Sequence, residues 1–169
     1  MKIGIIADTH DNIPKIEKAV KVLKENNVSF IFHCGDIISP FSAKRFAEFG
    51  DKFISVFGNN DGEKWLLSKV IKNFGGIIEE GPLKFSIENK KILLLHGYRE
   101  VNMTLEIVNS LAESGIYDII LYGHTHKTDI RKVKGTTIIN PGEACGYLTS
   151  KSTLVTLDLK TMEPQTIEF

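Results

Sequence analysis

Two imidazoles one residue apart, His124 and His126, end the segment Asp-Ile-Ile-Leu-Tyr-Gly-His-Thr-His at 118–126. Histidine is the commonest metal ligand among the side chains and a proton carrier near neutral pH, so a close pair suggests one of those two uses. The apolar run before the pair, Ile119 to Tyr122, is too short for a helix and reads as a buried strand stopping at Gly123. Positions i and i+2 of a strand share a face, and a turn after glycine can bring both rings to one point. A pair of solvated loop histidines fits this segment equally well, and the rest of the chain decides between them.

Five apolar runs, ending near positions 7, 34, 57, 95 and 122, are each followed within a few residues by a potential ligand: Asp8 with His10, Asp36, Asn59, His96, and His124 with His126. A buried strand end gains nothing from Asp or His unless each finds a partner, because unpaired buried polar groups are costly. In α/β sheets ligands bind outside the carboxyl ends of the strands, so these loops can converge on one site. The remaining histidine, His33, lies inside an apolar run and is expected to be a core residue bonded to backbone rather than a ligand.

Oxygen and imidazole donors without a thiolate suit Mn(II), Fe, Ni(II) or Zn(II) and argue against a closed cysteine-rich zinc site. Seven donors are too many for one catalytic ion that keeps an open position; if Asp36 bridges, each of two ions receives four. Two ions about 3.5 to 4 Å apart with a shared hydroxide form an arrangement that attacks a phosphoryl centre in line. The expected cofactors are therefore two divalent ions, manganese first, with nickel, iron or zinc as alternatives. Set against two carboxylates they leave a positive site that attracts a phosphate ester.

The elements that must position these residues begin with a near-continuous apolar strand over 2–7 and a helix from Pro14 to the Asn26-Asn27 pair. A strand over 28–34 follows, then a helix from Ser39-Pro40 to about Gly50, a strand over 52–57 and a helix over 65–74. Short strands are expected at 76–78, 83–87 and 91–95, a helix over 100–114, and strands at 129–133, 136–140, 152–159 and 166–169. Asn140-Pro141-Gly142 reads as a turn. Early strand–helix alternation followed by strand-rich sequence predicts a layered α/β domain of two packed sheets flanked by helices.

The 169 residues fit one domain, 1–169, long enough to bury a core. Lys plus Arg and Asp plus Glu both number 21, and the lysines are dispersed, so neither a nucleic-acid partner nor a membrane surface is expected. The apolar stretch at the N-terminus is too short for a signal peptide and ends in charge, which points to a cytoplasmic protein. Cys34 and Cys145 form no disulfide framework and are expected as free thiols; a homo-oligomer is left open.

Taken together, D-x-H at Asp8 and His10, GD at Gly35-Asp36, GN at Gly58-Asn59, HG at His96-Gly97 and GHTH at Gly123 to His126 resemble the calcineurin-like metallophosphoesterase superfamily, in order and over most of the chain. The short length, the GNND form of the third motif and NPGEACGY at 140–147 are similar to the small YfcE-like phosphodiesterases, particularly archaeal ones. The resemblance implies a four-layer α-β-β-α sandwich of two mixed sheets and hydrolysis of a small phosphodiester. It also implies that Asp8, His10, Asp36 and His126 hold one ion and Asp36, Asn59, His96 and His124 the other.

Many larger members carry GNH, with the histidine protonating the leaving oxygen; here Asn60 stands in that place. An amide donates a hydrogen bond but is no general acid near neutral pH. Asn60 and Asp61 are therefore the candidate catalytic residues, Asp61 as a substitute acid or, equally, as the residue that fixes the turn. Asp11 and Asn12 are expected to cap the first helix, with orientation of the ligands as the alternative. Tyr98 and Arg99 either contact substrate or are solvated. Glu143 and Cys145 lie in a loop that the resemblance places near the site, and their spacing gives them no role. The rival reading is a non-catalytic interaction scaffold of the same fold, which loss of ligand histidines would favour; no ligand position is missing.

Overall fold

The computed structural model describes residues 1–169. Strands β1 (Lys2–Ile6), β2 (Phe30–His33), β3 (Phe53–Val56) and β4 (Ile77–Glu79) run parallel as neighbours, and β10 (Thr153–Asp158) and β11 (Glu163–Glu168) extend the sheet antiparallel beyond β1. A second sheet has the order β5 (Leu83–Ile87), β6 (Lys90–Leu94), β7 (Ile119–Leu121), β9 (Thr136–Pro141), β8 (Thr128–Val133), parallel from β6 through β9 and antiparallel at both edges. Both sheets are mixed, as expected.

The period-two alternation of the strands sorts side chains between layers. Ile3, Ile5 and Phe32 of the first sheet meet Ile92, Leu94, Ile119 and Leu121 of the second in the inter-sheet core. Ile6, Ile31 and Phe53 point outward and pack under α1 (Ile13–Glu25) and α3 (Lys64–Asn73) through Ile16, Ala19, Leu23, Leu67 and Ile71. On the far side Ile120, Tyr122 and Ile138 lie beneath Val108 and Ala112 of α4 (Val101–Glu113). The four layers are helix, sheet, sheet, helix.

One expected element differs. The helix from Ser39 toward Gly50 is a single α-turn, α2 (Pro40–Ala43), followed by a 3-10 segment, Lys44–Lys52, broken at Gly50 where φ is 55°. Ala43, Phe46 and Phe49, which turn inward, are spaced by three, the repeat of a 3-10 helix rather than the 3.6 of an α-helix. Phe46 stacks on Phe53 at 4.9 Å between ring centroids, which fixes that spacing against the sheet. Pro141, expected in a turn, ends strand β9, and the chain reverses at Gly142 with φ 79°. No helix is long and apolar enough to cross a membrane.

Candidate metal centre

Each parallel strand that ends in a predicted ligand delivers it to the same edge of the sandwich. Asp8, His10, Asp36, His124 and His126 all have positive φ, between 40° and 70°. Non-glycine residues seldom adopt that conformation, which costs roughly 1 to 3 kcal/mol each and clusters at functional sites. The fold holds five of the seven candidate ligands in strained turns so that their side chains point inward.

One group gathers around Asp8, His10 and Asp36, whose ligand atoms lie within 4.8 Å of one another. His10 Nε2 is 3.4 Å from Asp36 Oδ2, and His126 Nε2 is 3.7 Å from Asp8 Oδ1. A second group joins at Asp36, whose Oδ2 is 3.5 Å from His96 Nε2. There Asn59 Oδ1 lies 2.9 Å from His96 Nε2 and 2.8 Å from His124 Nδ1, and these two nitrogens are 3.3 Å apart. All seven predicted ligands are brought together, with Asp36 between the groups.

The far side of three of the imidazoles fixes which nitrogen faces inward. His96 Nδ1–H donates to the Cys34 carbonyl at 2.8 Å, His124 Nε2–H to the Arg99 carbonyl at 2.6 Å, and His126 Nδ1–H to Glu143 Oε2 at 2.8 Å. The opposite nitrogens therefore present lone pairs to the cleft, the second-partner arrangement common to metal-binding histidines. His10 Nε2 is buried with no hydrogen-bond partner at all. Lone pairs facing one another and an orphaned buried nitrogen are satisfied by a cation. Ligand atoms about 2.1 Å from one ion stand roughly 3.0 to 3.4 Å apart, close to the separations between the His10 or His96 nitrogen and Asp36.

The electrostatics agree. Burial, and then the neighbouring Asp36 charge, raise the Asp8 carboxyl well above its ordinary range. Burial lowers His96 to about 4 and also lowers His10. Buried carboxylates that repel each other beside neutral imidazoles form a site whose energy falls when divalent charge enters.

Asn60 stands on the exposed rim, where its backbone N–H donates to Asp36 Oδ1 and its side-chain amide to Asp36 Oδ2, both at 2.8 Å. Of the two roles open to Asp61, substitute acid or the residue that fixes the turn, its contacts favour the second. Its carboxylate is 2% exposed and accepts from the backbone N–H groups of Asp36 (3.1 Å), Gly58 (2.7 Å) and Ile38 (2.6 Å), which the tight turns at Asp36 and Ile38 direct inward. Asp61 ties two ligand loops together and does not face the cleft. Gly58 is required beside it, because a Cβ there would overlap the Asp36 carboxylate.

Asn12 caps α1, its Oδ1 accepting from Lys15 N at 3.4 Å, and its amide donates to the Cys145 carbonyl at 2.8 Å. Asp11, expected on the same cap, instead accepts from Ser39 N, Ser39 Oγ and Ser42 Oγ at 3.1, 2.7 and 2.6 Å, at the start of α2. Two serines offer it more donors than the first turn of α1, whose second residue is proline. His33 is a core residue: Nδ1 accepts from Gly35 N–H at 3.2 Å, and Nε2–H donates to Thr9 Oγ1 at 3.1 Å. Tyr98 and Arg99 are exposed, and it is the Arg99 carbonyl that reaches the site.

Glu143 is the residue that spacing could not nominate. Fully buried, it accepts from His126 and Cys145, from the backbone of Leu148 and Thr149, and from the Thr149 hydroxyl. Burial alone would raise its pKa, but the hydrogen bonds, led by that from His126, bring it down to about 2. Cys145 Sγ lies with His10 and His126 in a cluster within 4.8 Å, yet burial and the Glu143 carboxylate push its thiol up to about 12. It is a protonated donor to Glu143. Cys34 is likewise a free, buried thiol.

Residues 1–162 match the calcineurin-like phosphoesterase superfamily domain. The chain belongs to this superfamily. Among its members, the chain is similar to a phosphodiesterase of Methanocaldococcus jannaschii, with 38% identity over 165 residues covering 96% of each chain. A solved structure described as a novel archaeal phosphodiesterase superposes with a TM-score of 0.91 at 37% identity, over 100% of both chains. The Yfce phosphoesterase of E. coli shares the fold at a TM-score of 0.71 and 18% identity, over 99% of this chain and 98% of that one. Membership in a phosphoesterase superfamily makes the protein a phosphoric ester hydrolase and favours that reading over the scaffold.

Proposed function

We propose that this hydrolase is a phosphodiesterase that works with two divalent ions, one held by Asp8, His10, Asp36 and His126, the other by Asp36, Asn59, His96 and His124. The observation that carries the reading is the set of inward lone pairs, with His10 Nε2 buried and unpartnered beside Asp36. Two such ions, when bound, supply an activated water nucleophile and positive charge for the non-bridging phosphoryl oxygens. The oxygen and nitrogen donors suit Mn(II) first and Ni(II), Fe or Zn(II) as alternatives.

The protein's own contribution is preorganisation. Backbone carbonyls and Glu143 hold the imidazoles in the tautomer that faces the cleft, and Asn60 fixes both oxygens of Asp36. In this reading Asn60, exposed at the rim, has one amide hydrogen beyond its bond to Asp36 that can be donated to a departing oxygen, but it cannot deliver a proton there. The enzyme is accordingly assigned to small diesters whose leaving groups need little protonation. The balanced count of 21 cationic and 21 anionic side chains leaves no overall basic excess to favour nucleic acid, and we place the protein in the cytoplasm.

Hydrolysis of bis(p-nitrophenyl) phosphate by metal-stripped protein, with Mn(II), Ni(II), Fe(II), Zn(II) or Mg(II) restored singly, tests the proposal. The expected result is turnover restored by transition ions, Mn(II) foremost, and greater on the diester than on p-nitrophenyl phosphate. Equal turnover without any ion would refute it.

A further inference from the structure

A cavity of about 530 Å³ opens beside the proposed centre, reaching Asn59, His96 and Gly97. We infer that it receives one ester group of the substrate and that this group is a planar aromatic ring; the inference rests on the phosphodiesterase reading above.

The cavity is joined rigidly to the site by the chain itself. Leu95 directly precedes His96, and Phe57 lies two residues before Asn59, so the segments that carry two proposed ligands also carry two of its walls. Pro82 and Ile107 complete the apolar lining. Its volume lies within the usual range for small-molecule pockets, roughly 300 to 1,000 Å³. A methyl or glycerol group would leave these walls in water, whereas a ring displaces that water from apolar surface.

The rim sets the charge and shape. Tyr98 stands at the mouth, 55% exposed, yet its backbone is clamped: its N–H donates to Thr104 Oγ1 at 2.9 Å, and its carbonyl accepts from the same hydroxyl at 3.1 Å. An exposed aromatic side chain on a fixed backbone, with the Arg99 guanidinium 5.6 Å from its ring centroid, is an available wall for another ring. Also in the lining, Lys64 Nζ pairs with Glu80 Oε1 at 2.9 Å and lies 5.1 Å over the Phe57 ring. The pair neutralises itself, so that part of the lining invites neither a second phosphate nor a cationic headgroup. It still offers one donor and one acceptor to the edge of a heteroaromatic ring.

Calorimetric titration of the metal-loaded protein with phenylphosphonate and methylphosphonate tests the inference. The two carry the same charged group, are not hydrolysed, and differ in the ring. Phenylphosphonate is expected to bind at least about 10-fold tighter, the scale of burying one aromatic group. Ile107→Trp, which fills the cavity from a half-buried helix position, and Tyr98→Ala, which removes the rim ring, should each bring the two affinities closer while methylphosphonate is unchanged. Equal affinities in the native protein, or a preference that survives both substitutions, would overturn the inference. Turnover of bis(p-nitrophenyl) phosphate is read separately: a phenyl preference without turnover leaves the aromatic preference of the cavity standing and removes the phosphodiesterase reading.

Discussion

Nδ1 of His126 lies 2.8 Å from Oε2 of Glu143, a carboxylate buried beneath the loop at 148–149 and held ionised by five hydrogen-bonding groups around it. The bond fixes the tautomer of His126 and turns Nε2 toward Asp8. Substitution of such a partner typically costs 10- to 100-fold in metal affinity. Glu143→Gln should therefore weaken metal binding about 10-fold or more with little change in far-ultraviolet circular dichroism. Unchanged affinity in a metal titration would remove Glu143 from the site.

Asn60 donates twice to Asp36 and holds no transferable proton. The rate should fall steeply as the pKa of the leaving alcohol rises across a series of aryl phosphodiesters, and Asn60→His should flatten the slope. A flat dependence in the native enzyme would show that another group supplies the proton.

Gly58 packs against the carboxylate of Asp36, and any Cβ there displaces it. Gly58→Ala should lower turnover by at least about 10-fold, with a stability loss of about 1 to 3 kcal/mol, as for other overpacked sites. Turnover within twofold of the native rate would mean that Asp36 can move without consequence.

His33 is buried among Thr9, Gly35 and the rings of Phe46 and Phe53, and burial, then the charge of His96, lower its pKa to about 3. The folded state disfavours its protonation, whereas the unfolded chain takes the proton near pH 6.5. The unfolded state thus binds more protons between about pH 3 and 6.5, and this contribution, complete above 6.5, is lost as pH falls, by up to about 1.4 kcal/mol per pH unit. Urea denaturation of the metal-free protein at several pH values should show that slope, reduced in His33→Gln. An identical slope in the variant would place the acid sensitivity elsewhere.

The sequence made the site legible where chemistry coincides with a strand end. Asp8, Asp36, His96 and His124 each follow an apolar run, and buried strands place their carboxyl ends at one edge. Glu143 was not legible, because its partner His126 is 17 residues away across a strand pair and its loop carries no periodic signal. Nor could sequence show that Asp61 turns its carboxylate to three backbone amides, since that depends on positive φ at Asp36 and Ile38. The α-helix expected from Ser39 failed for a visible reason. Ser39 and Pro40 do start a helix, but a cap signal says nothing of its length, and the inward spacing Ala43, Phe46, Phe49 follows the three-residue repeat of a 3-10 helix.

The central claim is a centre of two ions sharing Asp36, and metal titration followed by turnover tests it most directly. Metal-stripped protein receives increasing Mn(II) while bis(p-nitrophenyl) phosphate hydrolysis and bound metal are measured together, beside His124→Ala. The account predicts activity that rises to a plateau at about two ions per chain, and a variant that binds about one ion without turnover. Full activity at one ion per chain, or native turnover in His124→Ala, would contradict it.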